Sequence, residues 1–171
     1  MISPLENLAG PGKPLRQEPF DEEEYAGLIH SGQVRLTDAQ SPANSLESRF
    51  DLASNAAHAL SLAALRYCGY RPANRYVVFQ ALQHTLGLGP SVWRVLTKCH
   101  DVRNRGEYEG DLDVDERLVT DLTTACKTVA NALAQTTSAL RTSTDASRES
   151  RCPAVVRRTA RIDVCNVRCA P

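Results

Sequence analysis

The segment Cys99-His100-Asp101-Val102-Arg103-Asn104-Arg105-Gly106-Glu107-Tyr108-Glu109-Gly110 gathers more ionisable and turn-forming side chains than any other stretch outside the acidic run near the N-terminus. With Pro90 in the first turn of a helix, where its missing N–H does no harm, Val92, Leu96, Cys99 and Arg103 follow at helical spacing. A neighbouring stripe, Trp93, Leu96, His100 and Arg103, places an imidazole one turn before a guanidinium on the same face. Asn104 and Glu107 continue that face until Gly106 and Gly110, which are expected to let the chain turn. Arg carries a fixed charge and a fork of donors, and His exchanges protons near neutral pH. A helix terminus that presents them to a groove is therefore a candidate phosphate or nucleotide contact.

The elements around this segment read as helices. Asp21 opens one, with Glu22, Glu23 and Glu24 at its positive end, Tyr25, Leu28 and Ile29 as a short apolar face, and Gly32 as the expected stop. After Ser41-Pro42, the residues Leu46, Phe50, Ala53, Ala57, Leu60, Ala64 and Tyr67 recur in steps of four and three, which predicts a core helix ended by Gly69. Its alanines allow a second helix to approach closely. His58 lies beside this stripe and is read as a hydrogen-bonded structural residue. A third helix is expected from the cap Asn74 through Tyr76, Phe79, Leu82 and Leu86 to Gly87, with His84 at its surface. Asp113 and Glu116 form a capping box for a last helix whose inward stripe is Leu118, Leu122, Ala125, Val129, Ala132 and Thr136.

These patterns predict an all-α antiparallel bundle of four to five helices. Residues 1–20 mix Pro, Gly and scattered charge and are expected to form a flexible arm; 21–140 form the helical domain; 141–171 form a basic, disordered tail in which a short Val155/Val156 and Ile162/Val164 hairpin is conceivable. At 171 residues, 42% hydrophobic and 23% charged, the chain has room for one compact domain plus extensions. It has no apolar run of membrane-spanning length and no basic-then-apolar leader, so a cytoplasmic location without membrane contact is expected. The formal net charge is zero, which removes any global signature of nucleic-acid binding. That balance conceals a tail with seven Arg against Asp145, Glu149 and Asp163. Of the six cysteines, Cys68, Cys99 and Cys126 read as reduced, buried small hydrophobes, and Cys152, Cys165 and Cys169 lie in the tail without a nearby His.

The chain carries no Gly-rich phosphate loop with Lys-Ser/Thr, no H-E-x-x-H, no paired C-x-x-C and no G-x-S-x-G, so common nucleotide hydrolase and metalloenzyme signatures are absent. No metal or cofactor is called for. Four segments, Phe50-Asp51-Leu52-Ala53, Arg75-Tyr76-Val77-Val78-Phe79-Gln80, His84-Thr85-Leu86-Gly87 and above all Arg103-Asn104-Arg105-Gly106-Glu107-Tyr108, resemble a prokaryotic branch of the HEPN helical-bundle superfamily. The similarity runs roughly from Tyr25 to Ala139 and includes the order and length of the helices.

The resemblance implies a metal-independent endoribonuclease, often a toxin partnered by a minimal nucleotidyltransferase antitoxin, whose motif is an Arg, a polar residue and a later His. Arg103 and Asn104 match its start, and Tyr108 stands where the His would stand. A phenol with a pKa near 10 is a poor base at neutral pH, which leaves Tyr108 to orient a phosphate or donate a proton and His100 to take over as base. In the family the motif helices of two subunits face each other, so a homodimer is implied, with two copies of Arg103 lining one cleft. The competing expectation is a noncatalytic binding or scaffold module for RNA, a nucleotide or a protein partner. A third reading keeps Arg103 structural, paired with Glu107 or Asp101, with Tyr108 packed against the last helix.

Overall fold

A computed structural model describes residues 4–109 and 114–141. In chain order it contains α1 (Pro4–Asn7), β1 (Leu15–Gln17), α2 (Glu22–Ala39), α3 (Leu46–Tyr67), β2 (Tyr70–Pro72), α4 (Arg75–Gln80), α5 (Leu82–Thr85), α6 (Pro90–Glu109) and α7 (Glu116–Arg141). The chain is thus mostly helical. Its small sheet is the antiparallel pair β1 and β2, with Leu15 opposite Pro72 and Gln17 opposite Tyr70.

Four helix starts follow from local chemistry, because a short polar side chain satisfies an amide that has no partner within the helix. Asp21 Oδ1 accepts from Glu24 N at 2.8 Å, Ser45 Oγ from Ser48 N at 3.2 Å, Asn74 Oδ1 from Val77 N at 3.1 Å and Asp115 Oδ1 from Leu118 N at 2.7 Å. The last of these replaces the expected Asp113 cap; Asp113 and Gly110 lie outside the described residues. Glu116 instead bonds Arg49 Nη1 at 2.8 Å, tying the start of α7 to α3.

Helix α3 is the centre of the molecule. Phe50, Ala53, Ala56, Ala57, Leu60, Ala63 and Ala64 are all buried, as the alanine-rich stripe predicts. Against them pack Leu36 and Ala39 of α2, Leu96 and Cys99 of α6, and Val119, Leu122, Cys126 and Val129 of α7. The inward face of α7 therefore includes Val119, Cys126 and Leu133, whereas the expected Leu118, Ala132 and Thr136 are only half-buried.

Three expectations need correction. Gly32 does not stop α2, which runs on to Ala39. It is buried inside the helix, and a methyl there would fall 2.7 Å from Leu60 Cγ, so the missing side chain is what lets α2 close on α3. Gly106 likewise lies within α6, and the polar segment 99–109 is the second half of that helix instead of a junction. The third helix is broken at Ala81 into α4 and α5.

Residues 4–20 are also docked instead of forming a flexible arm. Leu5 and Leu15 are each 1% exposed and form a second small core with Leu65, Tyr70 and Ala81. Polar contacts then fasten the segment. Arg66 is buried in α3 and donates from Nε to Glu24 Oε2 at 2.8 Å, from Nη2 to the Pro19 carbonyl at 2.9 Å and from Nη1 to the Glu18 carbonyl at 3.3 Å. Arg71 of β2 bonds Glu18 Oε1 at 2.7 Å and Glu24 Oε1 at 2.8 Å. The Arg71 guanidinium holds the Glu18 carboxyl below the usual carboxylate range. The expected tail, with Cys152, Cys165, Cys169 and the conceivable hairpin, lies outside the described residues.

Candidate functional site

The polar half of α6 faces a recess where α3, α4 and α6 meet. Its walls carry Ser54 and His58 from α3, Arg75 and Phe79 from α4, and His100 and Arg103 from α6, with the buried side chains of Leu96, Cys99 and Leu122 behind them. It encloses about 10 Å³, room for a single water molecule or one oxygen of a larger group.

The sequence pattern brings His100 and Arg103 to this recess as expected. Arg103 Nε is 3.3 Å from Asp51 Oδ1, and its Nη1 donates to Asn55 Oδ1 at 3.2 Å. Both partners belong to α3, so these contacts of Arg103 cross between helices. Asn104 reaches the site through its neighbour: its Nδ2 lies 3.3 Å from His100 Nε2. This contact fixes the orientation of the His100 ring on the α6 face. Tyr108 is not part of the cluster. It is 90% exposed and points to solvent, instead of packing against α7 as a structural reading requires.

Three further residues line the recess that the sequence pattern did not mark as site residues: Ser54, His58 and Arg75. His58 was expected to be a hydrogen-bonded structural residue, yet its ring has no hydrogen-bond partner among the described residues. What holds it is aromatic packing. The Phe79 ring meets His58 edge-on at 6.4 Å between centroids and meets His100 at 5.9 Å, fixing both imidazoles against one support. Ser54 is nine-tenths buried and its hydroxyl has no partner among the described residues. A signal was present in the sequence: Asp51, Ser54, Asn55 and His58 form a polar stripe at helical spacing along the flank of an apolar helix.

The electrostatics follow from this grouping. Burial pushes the His58 imidazole down to about 4, with the neighbouring Arg75, His100 and Arg103 acting in the same direction. It is therefore neutral at physiological pH. Burial also pushes the Cys99 thiol up to about 12, so it stays uncharged. Among the described residues no carboxylate lines the recess, and Asp51 touches Arg103 only from an exposed position. Such a site suits an anion with hydrogen-bond-accepting oxygens. No group of three or more His, Cys, Asp or Glu among the described residues is placed to hold a metal ion. No helix among them is long and apolar enough to cross a membrane.

Comparisons with protein-family models, with curated proteins and with solved structures find no match to this chain.

Proposed function

We propose that this chain is an HEPN-type RNA-acting protein, a metal-independent endoribonuclease of the toxin–antitoxin or defence kind, built on an HEPN-like bundle of four to five helices and working as a homodimer in the cytoplasm. The observation that carries the reading is the meeting of Arg103 of the motif and His100, one turn before it, with His58 and Arg75 in one cation-rich recess. In this reading Arg103 contacts the phosphate that lies over the mouth. Asn104 lies against the His100 ring and positions the imidazole that exchanges a proton.

The reaction is an in-line attack of the ribose 2′-oxygen on the adjacent phosphorus. The 2′-hydroxyl proton passes to the base, the bond to the 5′-oxygen breaks, and that oxygen leaves with a proton. The products are a 2′,3′-cyclic phosphate and a 5′-hydroxyl end. Arg103 and Arg75 would offset the charge that gathers on the phosphoryl oxygens. A nucleotidyltransferase-type antitoxin is the partner proposed for such a toxin.

The exposed position of Tyr108 and the engagement of Arg103 by Asp51 and Asn55 favour a second reading, a noncatalytic module that binds RNA, a nucleotide or a protein partner through the same face. Incubation of the purified chain with labelled single-stranded RNA and transfer RNA in the presence of chelator separates the two. The nuclease reading expects cleavage that falls by about a hundredfold in Arg103→Ala and His100→Ala. Undiminished cleavage in Arg103→Ala would remove the site assignment, and binding without turnover by the folded parent would establish the second reading.

A further inference from the structure

We propose that the recess is a seat for one phosphodiester oxygen of single-stranded RNA, in which Ser54 donates to that oxygen from the floor and His58, held against Phe79 between Arg75 and Arg103, takes up a proton from solvent as the oxygen enters. This rests on the reading of the recess as a phosphate site, and it adds two ligand-contacting residues that the motif does not contain.

Three independent observations converge. The recess of about 10 Å³ has room for one water-sized group, which suits a single oxygen projected by a ligand whose bulk stays outside. A phosphodiester crossing the mouth projects such an oxygen, and the absence of a carboxylate among the described lining residues suits its charge. Second, the Ser54 hydroxyl is buried, lines the recess and has no partner among the described residues. A buried donor in that condition is costly unless a ligand or water satisfies it. Third, the His58 ring also has no hydrogen bond among the described residues, although it faces the same space.

The charged and titratable groups that face His58 explain why an anion would change its state. Arg75 approaches from α4, His100 and Arg103 from α6, the neutral Cys99 thiol lies behind, and α7 contributes only Leu122. From α3 itself, Asp51 is turned to Arg103 at the rim. Among the described residues that line the recess, every fixed charge is positive. An oxygen bearing negative charge, placed between the two guanidinium groups, offsets them and gives an imidazolium N–H an acceptor. Both changes favour the charged ring. The seated oxygen would then be held by Ser54, His58 and Arg103 together.

The test follows the four histidine ring signals of the full-length chain by NMR between pH 3.5 and 8, in sodium sulfate and in sodium chloride of equal ionic strength. Sulfate stays doubly charged across this range and projects single oxygens as a phosphodiester does. The His58 signal is assigned from its loss in His58→Gln or, if that variant does not fold, by elimination with His30→Gln, His84→Gln and His100→Gln. The expected result is a His58 midpoint near 4 in chloride that rises by about one unit or more in sulfate. In Arg75→Gln, an exposed position, the midpoint in chloride should start higher and the response to sulfate should shrink. A His58 midpoint that is the same in both salts overturns the proposal.

A 2′-O-methylated RNA hexamer, which binds without being cut, should produce the same rise at lower concentration than adenosine monophosphate; the reverse order would overturn the assignment to RNA. The outcome is separable from the nuclease reading. A sulfate response without RNA cleavage keeps the seat and removes the nuclease, whereas cleavage without a sulfate response keeps the nuclease and removes His58 from it.

Discussion

Two clusters of basic side chains flank helix α3, and they solve the problem of a half-buried cation in opposite ways. Near its C-terminal end, Arg66 and Arg71 meet Glu18 and Glu24 in ion pairs between segments distant in sequence, three of them 2.7–2.8 Å and the Arg66–Glu18 pair 3.5 Å. Near its middle, Arg75, Arg103, His58 and His100 converge on a recess with no carboxylate in its described walls. The first cluster is neutralised and closed, as befits a fastening. The second keeps an excess of positive charge and a buried hydroxyl without a partner, which disfavours stability unless something arrives from outside. Both clusters consist of similar residues, so it is charge balance that separates the fastening from the candidate site.

The contrast can be broken by unequal responses to mutation. The largest effect is expected at the fastening. Arg66→Met leaves Glu24 and two main-chain carbonyls without their buried partner and should cost about 3 kcal/mol in urea unfolding. Its consequences should include loosening of the segment that carries Leu5 and Leu15, read as faster amide exchange there.

A somewhat smaller effect is expected from pH at the recess. The imidazole has an ordinary value near 6.5 when unfolded and about 4 when folded, so between those values the unfolded chain binds a proton that the folded chain does not. Stability should therefore fall as pH drops from about 6.5 to about 4, and His58 contributes nothing to pH dependence above that window. The difference in unfolding free energy between pH 7 and pH 4.5 should be smaller in His58→Gln than in the parent by on the order of 2 kcal/mol. Equal slopes would mean that the ring is not desolvated among cations as described. The smallest effect is expected from Arg103→Gln, whose exposed partner Asp51 limits the loss to about 0.5 kcal/mol in the same assay. A loss as large as that of Arg66→Met would make Arg103 a fastening too.

Much of the helical framework was legible in the sequence because the signals are local. The step of four and three in α3 and the caps at Asp21 and Asn74 depend on residues within one or two turns. The sequence was less informative wherever a distant partner decides the outcome. Gly32 carries the same local signature whether it ends a helix or admits Leu60 against its backbone, and only the approach of α3 distinguishes the two. Residues 4–20 look featureless because their order comes from Tyr70–Pro72, Leu65 and Arg66, far along the chain.

The site divides in the same way. His100, Arg103 and Asn104 share one helix, so their spacing placed them correctly on one face. His58, Ser54 and Arg75 come from other helices and join them only through packing on Phe79 and the core. Tyr108 was drawn in by its motif position, yet helical geometry turns it to solvent.

The most direct measurement is the affinity of a fluorescent 2′-O-methylated RNA oligonucleotide for the parent chain and for two matched charge neutralisations, one in each cluster. Arg103→Gln in the recess should weaken binding by about tenfold or more, whereas Arg71→Gln in the fastening should leave it within about twofold of the parent. Equal losses in the two variants, or no loss in Arg103→Gln, would contradict the assignment of the recess as the place where this protein meets RNA.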